Sequence, residues 1–236
     1  MNNYITVDRI EKELDFVNLV ITTTNIDAKN EDDLFKTFTQ DEFKLINLTR
    51  NSQIHSSIVN KIDENNIGQK IDGDALITNV PKVPLLILTA DCVPVVIVDP
   101  VNKAIGLAHA GWRGTYDNIS EKTIKEMSKN YNSNPKDLIC VIGPSIGPCC
   151  YEVSKDLVEK FNTNLAKYAG KFDIIKDDKY YLDLWKINEL MLRDCKVKEE
   201  NIINLQICTN CNHDKFYSYR KHNKTPKRIG TMIQIR

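Results

Sequence analysis

The chain has 236 residues, and its 32 basic side chains balance 32 acidic ones to give a formal net charge of zero. This length fits one large domain that buries about 70 to 75% of its unfolded surface without disulfide support. Proteins that bind nucleic acid usually carry a basic excess, which this chain lacks. No apolar run approaches the roughly 18 residues of a membrane span, and charges interrupt the segment where a signal peptide needs an apolar core. We therefore expect one cytoplasmic domain over residues 1–236, without nucleic-acid or membrane partners, as a monomer or small homo-oligomer.

The first third of the chain carries weak structural signals. Residues 16–22 form an apolar run that predicts a strand. Residues 32–50 hold two short helical patterns, with Asp32 and Asp41 as plausible caps. Residues 54–62 alternate weakly between apolar and polar and predict a further strand.

The middle third is more regular. Four short apolar runs between residues 74 and 110 are rich in Val, Ile and Leu and are separated by prolines. This pattern predicts consecutive strands of one buried sheet. Residues 95–98 and 105–108 flank a turn and predict a hairpin, residues 115–129 have helical spacing, and residues 138–142 predict another strand.

The last third mixes both kinds of element. Residues 154–161 and 182–195 predict helices, whereas residues 202–208, 216–220 and 229–235 predict strands. Strands and helices do not alternate strictly along the chain. We therefore predict an α+β fold with mixed sheets covered by helices.

Two polar residues, Asp91 and Cys92, stand at the end of an apolar strand, just before the proline that opens the next. Strand ends are where rigid scaffolds present functional groups, and a Cys at such a place can be a metal ligand or a nucleophile. A buried structural thiol beside a turn carboxylate is the alternative, because free Cys is commonly buried.

A second polar cluster, HAGWRG, starts at His109 and directly follows another apolar strand. The side chain of Arg113 presents a planar fork that suits phosphate or carboxylate. Trp112 offers a flat face for a base or another ring. The alternative is an ordinary loop with a capping Trp and a surface Arg.

The hairpin would place Cys92 and His109 at the same edge of a sheet, about one strand spacing of 5 Å apart. With His55 from an earlier segment, a His-Cys-His set becomes available. Two imidazoles and a thiolate suit Zn²⁺ with a fourth position open to water or substrate. The same ligands would also bind Cu²⁺.

Other cysteines form a rival candidate. Cys208, Cys211 and His213 have a spacing that can chelate locally, but a structural zinc needs a fourth ligand, which this segment does not supply. The adjacent Cys149 and Cys150 follow a rigid Gly-Pro loop, and we interpret them as packing or pocket wall. Arg220 is a candidate second anion-binding group, with a surface ion pair as the alternative.

Six blocks, QIHS, DGDALITN, LTADCVPVVIVDP, AHAGWRGT, IGPSIGPCCYEV and CTNCNHDKFYSYR, occur in this order from residue 53 onward. Together they resemble the bacterial laccase-domain, or polyphenol oxidase-type, family of purine nucleoside phosphorylases. The resemblance implies a single-domain α-β-β-α layered sandwich similar to the catalytic domain of cytotoxic necrotizing factor. It also places the family's metal set on His55, Cys92 and His109. The chain departs from the family pattern at Ser56, where Gly is common, and at residues 225–228, where a TGR-like motif is common.

The activity that this resemblance implies is phosphorolysis of adenosine, inosine, guanosine and methylthioadenosine to the free base and a pentose 1-phosphate. Adenosine deamination is a second implied activity. For these reactions we expect zinc, or alternatively copper, as the cofactor, phosphate binding by Arg113 and Arg220, and orientation or acid–base work by Asp91.

Three further functions remain alternatives, one of them a non-enzymatic binding module. A copper-dependent phenol oxidase of the multicopper kind needs several His-rich sites, which four His residues cannot supply. A cysteine hydrolase would use Cys92 as nucleophile and His109 as base, with the metal incidental.

Overall fold

The computed structural model describes residues 2–236, whose elements combine three β-sheets with six α-helices. The strands are β1 Tyr4–Ile5, β2 Val17–Thr22, β3 Thr49–Ser52, β4 Val59–Lys61, β5 Lys70–Asp72, β6 Ala75–Thr78, β7 Leu85–Thr89, β8 Val93–Asp99, β9 Ala104–Ala110, β10 Ile139–Ile142, β11 Glu152–Val153, β12 Asp173–Lys176, β13 Lys179–Leu182, β14 Ile202–Asn204 and β15 Ile229–Ile235. The helices are α1 Asp8–Glu13, α2 Glu31–Thr37, α3 Trp112–Tyr116, α4 Ile119–Tyr131, α5 Lys155–Asn164 and α6 Leu184–Asp194.

The first sheet has the strand order β1-β2-β15-β7-β3-β5. Strand β15 pairs antiparallel with both β2 and β7, so segments from the beginning and the end of the chain share this sheet. Strands β3, β5 and β7 are parallel to one another. The sheet is therefore mixed, as the sequence predicts.

The second sheet has the order β14-β10-β8-β9-β6-β4 and is also mixed. Its centre is the predicted hairpin of β8 and β9, in which Val95 pairs with Ala108 and Val98 pairs with Ile105. A smaller third sheet has the order β11-β13-β12, and Leu182 of β13 packs into the core on the helix side of the second sheet.

The two large sheets pack face to face, because alternate residues of each strand point into a shared apolar layer. This layer contains Leu19, Ile87 and Ile233 of the first sheet and Leu76, Val96, Leu107 and Val141 of the second, all buried. The opposite face of the second sheet is covered by α4, α5 and α6. The opposite face of the first sheet is covered by α2 and the segment that follows it. The layers thus run helix, sheet, sheet, helix. The likeness to cytotoxic necrotizing factor stays a prediction.

The structure departs from the sequence-based prediction at several elements. The four apolar runs do not share one sheet, because β7 joins the first sheet while β6, β8 and β9 form the second. A continuous apolar run can form a strand that is buried on both faces in either sheet. The composition of a run therefore does not show which sheet it joins. Helix α2 is capped by the Asn30 side chain, which accepts from the Asp32 N–H, and the second helical pattern is only a 3₁₀ turn at Leu45–Asn47. Residues 216–220 form a turn instead of a strand.

Among the described residues, no helix combines the length and apolar character that crossing a bilayer requires.

The shared layer between the sheets should dominate stability. Ile233 is fully buried there, whereas Ile175 in β12 is 65% exposed. We expect Ile233→Ala to lower the free energy of unfolding by about 2–5 kcal/mol, because it removes buried methyl groups and leaves a cavity. The matched change Ile175→Ala should cost only about 0.5 kcal/mol. Urea denaturation of both variants measures the difference, and equal losses would contradict this assignment of the core.

Candidate metal centre and cleft

Two His side chains and one Cys side chain form a cluster at the paired ends of β8 and β9 in the second sheet. One ligand atom from each of His55, Cys92 and His109 lies within 4.8 Å of the others. The pairing of β8 with β9 explains why Cys92 and His109 lie close together, because Pro94 pairs with His109 and Cys92 directly precedes β8. The hairpin argument from the sequence therefore places Cys92 and His109 correctly.

His55 reaches the cluster from the other sheet. It lies in the loop after β3 and adopts a left-handed backbone with φ of 58°. Such a conformation is uncommon for a non-glycine residue and persists where the surroundings hold it. The rings of His55 and His109 meet edge to face with centroids 5.1 Å apart.

The holding group is the carboxylate of Asp74, which is fully buried. Its oxygens accept hydrogen bonds from the backbone N–H of Ile54 at 3.2 Å, of His55 at 3.1 Å and of Ser56 at 2.6 Å. The Ser56 hydroxyl donates a further bond at 2.8 Å, so this departure from the family pattern adds a contact to the loop. Asp74 therefore fixes the loop that carries His55.

The same carboxylate orients His109. Its Oδ1 lies 2.8 Å from Nδ1 of the ring, an arrangement in which Nδ1–H donates to Asp74 and Nε2 is left to face the cluster. Sequence reasoning missed Asp74. The available signal was a carboxylate opening the apolar run 74–80, a position where a charge must have partners if it is buried.

The electrostatics of the cluster favour the thiolate form of Cys92. Burial opposes the thiolate, but the charge and hydrogen bond of His109, together with His55, outweigh it and lower the pKa of Cys92 to about 6. Burial likewise disfavours a charged His109, but the Cys92 thiolate and the Asp74 carboxylate raise its pKa to about 9. The Asp74 pKa is lowered, since the hydrogen bonds from His109 and Ser56 outweigh its burial. Cys92 is thus prepared to be a thiolate, which is the form that binds a metal.

The space around the cluster suits a small cation. A Cβ atom added at Gly111 would lie 3.1 Å from the Cys92 Sγ and 3.5 Å from the His55 Cδ2. Glycine thus keeps one side of the ligands clear. Two His, one Cys and a carboxylate behind one His form a donor set that zinc accepts with one position left for water or substrate. The three residues therefore fit a metal ion.

Asp91 lies beside the cluster, but its carboxylate is directed elsewhere. One oxygen accepts from the Thr209 hydroxyl at 2.7 Å, and the other accepts from the backbone N–H of Arg220 at 2.8 Å. The residue that contacts a cluster His is Asp74. Asp91 therefore anchors the segment that carries Arg220, while its predicted acid–base role stays a prediction.

The two predicted anion-binding residues lie in one cleft with the cluster. Arg113 is exposed, its guanidinium lies 4.3 Å from the Trp112 ring centroid, and it forms no ion pair within the described residues. Arg220 donates to the Glu152 carbonyl at 3.2 and 3.1 Å and lies over the Tyr151 ring. The surface ion pair considered for Arg220 is thus a backbone contact and a ring contact in the structure.

This cleft has a volume of about 850 Å³ and a marked charge imbalance. Asp91 is the acidic member of the described lining, which holds six cationic side chains: Lys29, Arg50, Lys70, Arg113, Arg220 and Arg228. Arg50 also pairs with Glu31 at 2.5 Å. Four of these cations were not predicted, since they come from segments far apart in the chain. The result is a local positive field on a chain without net charge.

The rival cysteine site is arranged differently from its prediction. Cys208 and Cys211 approach Cys149 and Cys150, and this group of four excludes His213. The His213 ring instead lies against His222, with centroids 5.9 Å apart. None of the four thiols belongs to the described lining of the cleft. Cys150 packs against the apolar core on the helix side of the second sheet, so packing, the first of the two interpretations of this pair, describes Cys150.

Comparison with known proteins agrees with the blocks noted in the sequence. A purine nucleoside phosphorylase of Haemophilus influenzae is 35% identical over 176 residues, which cover 74% of this chain and 69% of that protein. A purine nucleoside phosphorylase of Clostridium acetobutylicum is 32% identical over 216 residues, covering 89% of this chain and 85% of that one. The crystal structure of Bacillus licheniformis YfiH superposes with a TM-score of 0.87 at 26% identity and covers 95% of both chains.

Residues 14–236 match the family model described as multi-copper polyphenol oxidoreductase laccase. The match covers nearly the whole chain, and it includes the cluster, the cleft and all six blocks. The chain therefore belongs to this laccase-like family, whose relatives similar to it include proteins named purine nucleoside phosphorylase.

Proposed function

We propose that the protein is a metal-dependent purine nucleoside phosphorylase. It would cleave adenosine, inosine, guanosine and methylthioadenosine with phosphate to the free base and a pentose 1-phosphate. One observation carries this proposal: the His55, Cys92 and His109 cluster opens into a cleft that is lined by cations and aromatic rings. The names of the relatives support the same reaction class.

Phosphate would bind to the cationic part of the cleft. Within residues 2–236 Arg113 has no carboxylate partner, so its N–H fork is available for a doubly charged anion. Arg220 is held in place through its own backbone by Asp91 and through its guanidinium by the Glu152 carbonyl. The remaining donors of this fixed guanidinium can meet the same anion. Bringing phosphate into a positive cleft also lowers the repulsion that slows its attack.

The purine would lie against the aromatic lining. Trp112, Tyr151 and Tyr219 border the cleft, and flat rings offer stacking surface to a base. Tyr219 is 42% exposed, so part of this surface is open to an incoming ligand. The cleft volume of about 850 Å³ lies within the usual range for small-molecule sites, which is about 300–1,000 Å³.

Zinc or copper held by His55, Cys92 and His109 would supply Lewis acidity toward a substrate oxygen. The protein's own part is to hold the two imidazoles and the thiolate in place. Asp74 keeps His109 in one tautomer and keeps the His55 loop in its left-handed conformation. Asp91 would position Arg220 and, as the acidic member of the described lining, is the candidate for proton transfer to the leaving base.

A cysteine hydrolase is the second candidate, because the lowered pKa of Cys92 beside His109 also describes an activated nucleophile. In such an enzyme, zinc would block the thiol and inhibit the reaction. In the proposed phosphorylase, zinc or copper would be required. Metal dependence therefore separates the two candidates.

The decisive experiment incubates protein of defined zinc or copper content with inosine, adenosine, guanosine or methylthioadenosine and phosphate. We expect free base and pentose 1-phosphate in equal amounts, with no product when phosphate is omitted. Chromatography separates base from nucleoside. Ammonia release from adenosine would report the additional deaminase activity, and oxygen uptake with phenols would report an oxidase.

Absence of base from all four nucleosides, at every metal content, would exclude the proposed phosphorylase. An ester or thioester hydrolysis that zinc inhibits and a thiol alkylator abolishes would favour the hydrolase instead.

The role assigned to Asp74 predicts a specific loss. Asp74→Asn replaces one acceptor oxygen by an amide N–H that would face the donors of the His55 loop. We expect zinc affinity to fall about 10- to 100-fold, as is usual when a group behind a metal ligand is removed. Competition with a chromophoric chelator measures this affinity, with thermal unfolding as a check that the variant is folded.

Asp99 offers a matched control, because it is also fully buried and accepts backbone N–H bonds from Val101 and Asn102. It lies at the opposite end of the same hairpin. Asp99→Asn should reduce stability but leave zinc affinity unchanged. Equal loss of affinity in both variants would contradict the specific role of Asp74.

Phosphate binding by Arg113 is tested through the KM for phosphate. We expect Arg113→Ala to raise this KM by about 10- to 100-fold, since a hydrogen bond to a charged group contributes about 1.5–3 kcal/mol. The KM for the nucleoside should change less. Arg193→Ala is the control, because Arg193 pairs with Glu199 at 2.6 Å outside the described cleft lining. A phosphate KM unchanged in the Arg113 variant would remove Arg113 from the proposed site.

A further inference from the structure

Outside the cleft, four cysteines come together from two separate segments. The Sγ atoms of Cys149, Cys150, Cys208 and Cys211 all lie within 4.8 Å of one another. The Sγ of Cys211 is 3.6 Å from that of Cys149 and 3.4 Å from that of Cys150. We propose that these four thiols form a second metal site, a structural Zn²⁺ site with tetrahedral sulfur coordination. This inference does not depend on the proposed function.

The sulfur positions match the requirements of that ion. Zinc binds thiolates at about 2.3 Å, so tetrahedral coordination separates neighbouring sulfurs by about 3.8 Å. The separations of 3.4 and 3.6 Å and the limit of 4.8 Å for the whole group lie around this value. All four cysteines are unpaired in the structure. Four sulfurs and no other donor form a set that selects a soft ion such as zinc.

The backbone holds both cysteine pairs in position. Cys149 and Cys150 lie in a turn closed by the bond from the Tyr151 N–H to the Gly147 carbonyl at 3.0 Å. Cys208 and Cys211 lie in a second turn, closed by the bond from the Asn212 N–H to the Cys208 carbonyl at 2.9 Å.

Ser145 joins the two segments. Its N–H donates to the Ile207 carbonyl at 3.1 Å, and its carbonyl accepts from the Thr209 N–H at 3.0 Å. The four sulfurs thus converge through main-chain bonds that exist without any ion. A site organised in this way loses little conformational entropy when it binds a metal.

A further bond indicates a role for sulfur as an acceptor. The Gly147 N–H donates to the buried Cys208 Sγ at 3.3 Å. Such a bond favours negative charge on the sulfur, as a metal-bound thiolate requires. Cys149 and Cys211 are exposed, so an ion can enter from solvent and then be enclosed by four ligands. With four protein ligands no position stays open, which is typical of structural zinc and not of catalytic zinc.

The location of the site indicates what it would stabilise. Tyr151 directly follows Cys150, and Arg220 lies downstream of Cys211; the Arg220 guanidinium lies over the Tyr151 ring. Tyr151 and Arg220 both line the cleft. The ion would therefore hold together the two segments that carry these side chains. We expect its removal to increase hydrogen exchange in residues 147–152 and 208–220 and to leave β8 and β9 unchanged.

The test uses cobalt as a spectroscopic probe for zinc and exploits the independence of the two clusters. Cys92→Ala should abolish binding at the cleft cluster and leave the second site intact. After loading with Co²⁺, this variant should show intense thiolate-to-cobalt charge transfer and the visible bands of tetrahedral cobalt. Adding Cys149→Ser and Cys211→Ser together should remove most of this absorption, because only two of the four thiolates remain. Adding Cys195→Ser instead should not, because Cys195 lies outside both clusters. Zinc content by mass spectrometry of metals should follow the same order.

Three results would overturn the proposal. The Cys92→Ala protein could hold neither zinc nor cobalt after loading and dialysis. It could retain stoichiometric zinc when Cys149 and Cys211 are both replaced by Ser. Intact-mass analysis could also show protein purified without reductant to be two hydrogens lighter per cysteine pair, with zinc-loading unable to prevent it, which would identify a disulfide pair. If the protein with Cys149→Ser and Cys211→Ser does not fold, the spectrum of the Cys92→Ala protein alone decides between binding and no binding.

Discussion

One buried carboxylate connects the two halves of the candidate site. Asp74 belongs to the second sheet by position, yet it accepts three backbone N–H bonds and one hydroxyl bond from the loop that leaves the first sheet. Its Oδ1 also lies 2.8 Å from Nδ1 of His109. A buried charge is tolerated only when it is paired and hydrogen-bonded. Because Asp74 needs these partners, it holds the His55 loop and the His109 ring next to each other.

The sequence allowed part of this arrangement to be predicted. The β8–β9 hairpin follows from two adjacent apolar runs, and its antiparallel register brings Cys92 next to His109. His55 could be added from the motif resemblance, but its approach depends on a contact between two sheets. Asp74 shows the limit most clearly, because a carboxylate at the start of a strand looks like a turn residue until its burial is known. The predicted strands agree with the structure where the apolar runs are long. The strand predicted at residues 216–220 is absent, because local hydrogen bonds close a turn there.

The neutral composition also has a different meaning in three dimensions. Equal numbers of acidic and basic side chains leave no overall basic excess but do not prevent local segregation. Six cations from separate segments line one cleft with Asp91. Because field lines concentrate in a cleft with low-dielectric walls, this local imbalance makes the potential in the cleft positive. The net charge of the whole chain therefore gives no information about the charge of the cleft.

The position of β15 has a consequence for the order in which the protein can fold during synthesis. This strand is inserted between β2 and β7, two strands that the ribosome completes long before it. Until residues 229–235 emerge, the nascent first sheet is divided into two parts, each with an unpaired apolar edge that can associate with other chains. The loop of His55 follows β3, which lies beside β7 in one of those parts. The second sheet contains no segment beyond β14, so the hairpin with Cys92 and His109 can form earlier. The site would thus be completed in two stages, with the sheet that carries the His55 loop closing last.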